Sequence, residues 1–126
     1  MRIAAALLAE IEARAAASPD REICGLLLGQ GSRIDAAPAT VNVSPVPADS
    51  FEVDPAALFA ALRAERAGGP GLIGHYHSHP GGPTRPSPRD RAAAEPGRLW
   101  LILGREPPRL WLATATGFVE RALSRD

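Results

Sequence analysis

At 126 residues the chain has the length of one domain. Its 45% apolar content can fill a single core, and 22% charged residues is ordinary for a water-facing surface. Fourteen basic residues balance fourteen acidic ones, so net charge gives no reason to expect nucleic acid or an anionic membrane as a partner. The basic residues are all arginine, which beside the abundant Ala, Gly and Pro reads as GC-rich coding rather than a binding surface.

Met1-Arg2 followed by the apolar run Ile3–Ala9 imitates an export signal, but Glu10, Glu12 and Arg14 break that run. Ile3, Leu7, Leu8 and Ile11 fall on one helical face, predicting an amphipathic helix from Ile3 to Ala17 that stops at the Ser18-Pro19-Asp20 turn. Ile23–Leu28, closed by Gly29, Gly31 and Ser32, predicts a buried strand. Weaker strands are expected over Ser32–Pro38 and Thr40–Val43, with irregular chain around Pro45 and Pro47. Asp54-Pro55 reads as an N-cap and first helical residue. Leu58, Phe59 and Leu62 supply that helix's apolar face, and Gly68-Gly69-Pro70 ends it.

Gly71–Tyr76 predicts a central strand that delivers His77 and His79 at its end, followed by a loop over Gly81–Pro86. Ser87-Pro88 opens a short helix through Ala94 by the same capping logic. Leu99–Leu103, Leu110–Thr114 and Phe118–Leu123 predict three closing strands. No repeat is visible, and no segment approaches the length of a membrane span. The order implies one α/β (α+β) domain over residues 1–126, with a mixed, mostly antiparallel sheet flanked by helices. Cys24 is the only cysteine, so no intrachain disulfide can form, which fits a reducing cytoplasm.

The chemistry concentrates in His77-Ser78-His79-Pro80 and, six residues on, Ser87-Pro88-Arg89-Asp90. Side chains two apart on extended chain project to one side, so the imidazoles form a pair that Asp90 supplements with an oxygen. Three such ligands leave a fourth tetrahedral position open, the mark of a catalytic rather than a structural zinc. Together with Glu22 in Glu22-Ile-Cys-Gly-Leu-Leu-Leu-Gly29, these residues resemble the active site of the JAMM (MPN-plus) zinc metallopeptidases. The resemblance runs from the first helix through the third and fades over the last strands.

That resemblance implies the MPN/JAB, cytidine-deaminase-like fold and one Zn2+ per chain held by His77, His79 and Asp90. It implies Glu22 as general acid/base toward the metal-bound water, and Ser87 as support for the developing oxyanion. It further implies hydrolysis of a peptide or isopeptide bond at the C-terminus of a ubiquitin-like sulfur-carrier protein, after Gly-Gly, in the cytoplasm. Neither nucleic acid nor membrane is implied as a partner, and the oligomeric state stays open, a homodimer included. The rival readings are a non-catalytic MPN scaffold and a peptidase for cell-wall or tail-assembly peptides. Residue by residue the plainer readings are a metal-free histidine turn, a solvated Glu22 and a Ser87 that only caps.

Asp90 stands where a carboxylate folds back to complete a helix cap, a use from which metal ligation would redirect it. His75 shares the ligand face and is read as packing or supporting rather than ligating. Ser78 faces away and is read as holding the loop or supporting the ligands, and Cys24 as a small buried residue. Arg85 and Arg89 are solvated loop residues, with capture of a substrate carboxylate as the alternative. Trp100 and Trp111 are core.

Overall fold

The computed structural model describes residues 1–126, and its first element is a strand rather than the helix expected from Ile3. Arg2–Ile3 (β1) lies parallel to Arg33–Ala36 (β3) and to Ser124–Arg125 (β9), and it buries Ile3 completely. Helix α1 follows at Ala5–Ala16; Ala4 gives it no side-chain cap, which is why its start carries no mark in the sequence. Next come Cys24–Gln30 (β2), β3 and Ala39–Thr40 (β4). The strand expected over Thr40–Val43 shrinks to this two-residue piece, and beyond it only an isolated bridge joins Asn42 to Val53. Helix α2 spans Pro55–Arg66, and the Asp54 carboxylate accepts the Ala56 N–H at 3.0 Å as its cap.

Gly71–Ser78 (β5) runs two residues past the expected end, because its parallel pairing with Leu99–Leu103 (β6) continues to Ser78 opposite Leu103. Pro88–Ala93 (α3) sits between them in sequence, and Arg109–Thr114 (β7) and Gly117–Arg121 (β8) follow. The strands form one sheet in the order β8-β7-β6-β5-β2-β3-β1-β9, with β4 on β2. The pairs β2–β3, β2–β4, β2–β5, β6–β7 and β7–β8 are antiparallel, while β5–β6 and the two β1 pairs are parallel.

Alternation along β5 separates two faces. Tyr76 joins Ile3, Leu8, Ile11, Leu27, Leu101 and Leu110 in the core beneath α1, where Arg14 donates to the Tyr76 hydroxyl at 2.9 Å. His75 and His77 point to the opposite face, across from Leu26 and Cys24 on β2 and beside Trp100 and Ile102 on β6. That second face is covered loosely. Helix α2 buries none of its residues, and a cavity of about 580 Å³ separates it from the sheet, lined by Leu26, Phe51, Leu62, Leu72, His75 and Trp100 among others. The first face supplies most of the burial that holds the fold, leaving the second for the site.

Gly25 makes the close β2–β5 approach feasible. A Cβ there would run into the Tyr76 ring and the Pro38 carbonyl oxygen, neither a flexible chain end. Gly25→Ala is therefore expected to destabilise the fold by about 1–3 kcal/mol, as overpacking does, read as a lowered urea midpoint at unchanged m-value.

Candidate active site

The pairing of β5 with β6 on one side and β2 on the other holds His77, near the C-terminal end of this central strand, in a completely buried position, and the His79 N–H donates to the Leu103 carbonyl at 2.7 Å just beyond it. His79 is oriented from behind. The Pro83 oxygen can only accept, so His79 Nδ1, 2.8 Å away, must carry a hydrogen, which leaves Nε2 as the lone-pair nitrogen when the ring is neutral. That Nε2 lies 3.0 Å from His77 Nε2 and 3.1 Å from Asp90 Oδ2, and His77 Nε2 is 3.2 Å from the same oxygen.

Asp90 arrives on the first turn of α3 through a reciprocal cap. Ser87 Oγ accepts the Asp90 N–H at 3.1 Å, and Asp90 Oδ2 accepts the Ser87 N–H at 2.9 Å. Capping and facing the imidazoles are therefore not alternatives: the cap is what aims Oδ2 at both rings. Burial opposes ionisation of Asp90, but the two imidazoles on Oδ2 and the Ser87 N–H outweigh it and hold the carboxyl well below the usual carboxylate range. Burial dominates at His77 and lowers its pKa. At His79 burial is outweighed by Asp90, Pro83 and Glu22, and the pKa is raised.

Glu22 precedes β2 and is buried, with its N–H donating to the Pro47 carbonyl at 2.7 Å. One of its carboxylate oxygens and the donor nitrogens of His77 and His79 all lie within 4.8 Å of one another. Burial pushes the Glu22 carboxyl up to about 7, with His79 drawing it down and Asp90 and Asp49 adding to the rise. The solvated reading of Glu22 does not match this burial.

The donor set suggests a metal. Three potential ligand atoms converge with separations of 3.0–3.2 Å, and the Pro83 bond denies neutral His79 a hydrogen on the converging nitrogen. Ligand atoms about 2.0–2.1 Å from a tetrahedral zinc would stand roughly 3.3 Å apart, so the spacing fits such an ion. His77, His79 and Asp90 could hold it, with Glu22 alongside.

His75 stays outside this group. Its ring meets Trp100 edge-on at 4.3 Å, and burial, with His77 next, lowers its pKa to about 3, so it packs as a neutral ring. Ser78 does hold the loop: its Oγ accepts the Ile23 N–H at 2.9 Å, next to Glu22. Cys24 is buried with Sγ 3.4 Å from Thr40 Oγ1, and burial pushes its thiol up, away from reactivity. Arg85 and Arg89 are exposed, Arg89 at the rim of the α2 cavity.

Two contributors had no signal in the sequence. Phe51, in the irregular stretch before α2, stacks on the His77 ring at 4.2 Å and 19°. Trp111 is half-buried and lies outside the core expected for it; its indole N–H donates to the Thr84 carbonyl at 3.0 Å, tying down the loop whose Pro83 oxygen orients His79.

Comparison with known proteins agrees with this layout. Residues 4–114 match the model of the prokaryotic homologs of the JAB domain. Desampylase from Haloferax volcanii is 35% identical over 99 residues, covering 76% of this chain and 71% of that protein. A probable TtuB-protein conjugate cleaving protease from Thermus thermophilus is 36% identical over 106 residues, covering 84% and 71%. Among solved structures, the solution structure of protein DSY2949 from Desulfitobacterium hafniense superposes with a TM-score of 0.86 at 27% identity, over 99% of this chain and 92% of that one.

Proposed function

The chain belongs to the prokaryotic family of JAB-domain proteins, and from that premise we propose that it is a zinc-dependent hydrolase that cleaves a peptide or isopeptide bond at the C-terminus of a ubiquitin-like sulfur carrier. The observation that carries the reading is the convergence of Glu22, His77 and His79 within 4.8 Å, with Asp90 Oδ2 touching both imidazoles. The donors that a non-catalytic scaffold lacks are all present. The activities named for the relatives, a desampylase in Haloferax and a probable TtuB-protein conjugate cleaving protease in Thermus, support the substrate class. No helix is long and apolar enough to cross a membrane.

His77, His79 and Asp90 would hold the zinc, which when bound supplies a Lewis acid and brings water's pKa down to about 7. Glu22 accepts a proton from the attacking water at its carboxylate and passes it to the leaving amine. A carboxylate beside that water is placed for both transfers. Ser87 Oγ already accepts the Asp90 N–H, so its hydroxyl hydrogen is free to donate to the carbonyl oxygen of the scissile bond as that oxygen gains charge.

The test is metal content and turnover together. The purified protein should hold about one zinc per chain and should release coumarin from a ubiquitin-like protein carrying a coumarin amide on its C-terminal glycine. A zinc-loaded protein inert toward such amides would overturn the substrate assignment. Ser87→Ala should keep its zinc, lose on the order of ten- to a thousandfold in turnover, and unfold at about 1 kcal/mol less free energy because the cap is gone. Metal analysis, steady-state kinetics and urea titration of one preparation check all three.

A further inference from the structure

Glu22 lies outside the sheet ladder, since β2 starts at Cys24, so no strand pairing fixes the backbone that carries the proposed base. Something else must hold it. On one side Ser78 clamps Ile23: its Oγ accepts the Ile23 N–H at 2.9 Å and its N–H donates to the Ile23 carbonyl at 3.1 Å. On the other side stands Asn42, whose amide uses its whole hydrogen-bonding capacity within this one region. Nδ2 donates to the Glu22 carbonyl at 2.9 Å and to the Ser50 carbonyl at 3.0 Å. Oδ1 accepts the Ser44 N–H at 3.0 Å and the Glu52 N–H at 3.0 Å.

We propose that Asn42 is a positioning residue for the reaction, fixing the proton-accepting Glu22 and the metal-side loop in one geometry. The stretch Ser44–Glu52 leaves Asn42 and returns to it, and it carries two groups the site uses. Its Pro47 carbonyl accepts the Glu22 N–H at 2.7 Å, and its Phe51 ring stacks on His77 at 4.2 Å. A single side-chain amide thus ties the base's backbone to the loop that covers one proposed ligand. Only an amide can do this: the position needs two donated and two accepted bonds at once, and a carboxylate of the same shape has no hydrogen to donate. Displacement of a reacting group by about 1 Å lowers rates on the order of a hundredfold, so loss of this tie should appear in turnover rather than in substrate binding.

The inference rests on Glu22 being the base, and its test separates the two. Asn42→Asp keeps both accepted bonds, which hold the loop together, and loses the two donated ones; Asn42→Ala loses all four. With the coumarin amide of a ubiquitin-like protein as probe, zinc-loaded Asn42→Asp should show kcat lowered ten- to a hundredfold, with KM within about threefold of the parent. In a Glu22→Gln background the same change should lower kcat no further, since the group it positions is already gone. Independently of activity, hydrogen exchange at the Glu22 amide should speed up at least tenfold in Asn42→Asp while the buried Leu101 amide stays protected. An unchanged kcat, an equal loss in the Glu22→Gln background, or unchanged exchange at Glu22 would each overturn the role. So would failure of both variants to fold, which would make Asn42 a residue of the fold alone. A parent protein that holds zinc yet never cleaves the probe would instead refute the functional reading, with the exchange result still deciding for Asn42.

Discussion

Glu22→Gln is expected to bind zinc as the parent does and to lose two to four orders of magnitude in turnover, the span that a positioned general base contributes. The amide has the shape of the carboxylate and can fill the same buried space, and the bonds that hold this residue use its backbone, not its side chain. What disappears is an oxygen able to take a proton. Instability should not confuse the result. The Glu22 carboxyl has a pKa of about 7 in the fold against 4.5 for the free group. Its contribution to stability is therefore complete below the lower value and is lost as pH rises through the higher one. Above neutral pH the metal-free parent carries a buried carboxylate that the variant lacks, so the metal-free variant should be at least as stable there. Turnover within threefold of the parent, at equal zinc content, would remove Glu22 from its role.

How much of this could be read from the sequence depended on whether a group's position is set locally. His77 and His79 announce themselves because alternation along extended chain aligns them, and Ser87 and Asp90 because one helix cap places both. Glu22 became visible only through a resemblance, since nothing around it says that it meets the histidines; the β2–β5 pairing does that. Asn42, Phe51 and Trp111 were illegible for the same reason, carried further. Each acts across the fold through a carbonyl or a ring on another segment, and such contacts leave no periodicity. Strands β1 and β9 are two residues each, too short for any pattern to register, so the closure of the sheet beyond β3 could not be foreseen. That one oxygen of Asp90 both closes the cap and faces the two imidazoles is likewise beyond what spacing can say.

Asp90→Asn is expected to abolish zinc binding while sparing the fold. The asparagine side chain still offers an oxygen to the Ser87 N–H and keeps α3 capped, so the geometry that aims the group at the imidazoles persists. The charge does not persist, and an amide is a far weaker ligand for a divalent cation than a carboxylate. With zinc at a hundred times its dissociation constant, the parent should gain about 2.7 kcal/mol of stability, seen as a raised melting temperature that chelator reverses. The Asp90→Asn variant should melt alike with and without zinc, and its turnover should fall to background. His77→Ala should share both losses and also leave a void beneath Phe51, lowering stability even without metal, because the ring it removes is wholly buried. Lower pH should release zinc from the parent, since protons compete for the imidazole nitrogens. A full zinc complement in Asp90→Asn, measured by elemental analysis after dialysis, would take the carboxylate out of the ligand set and leave the metal to Glu22, His77 and His79.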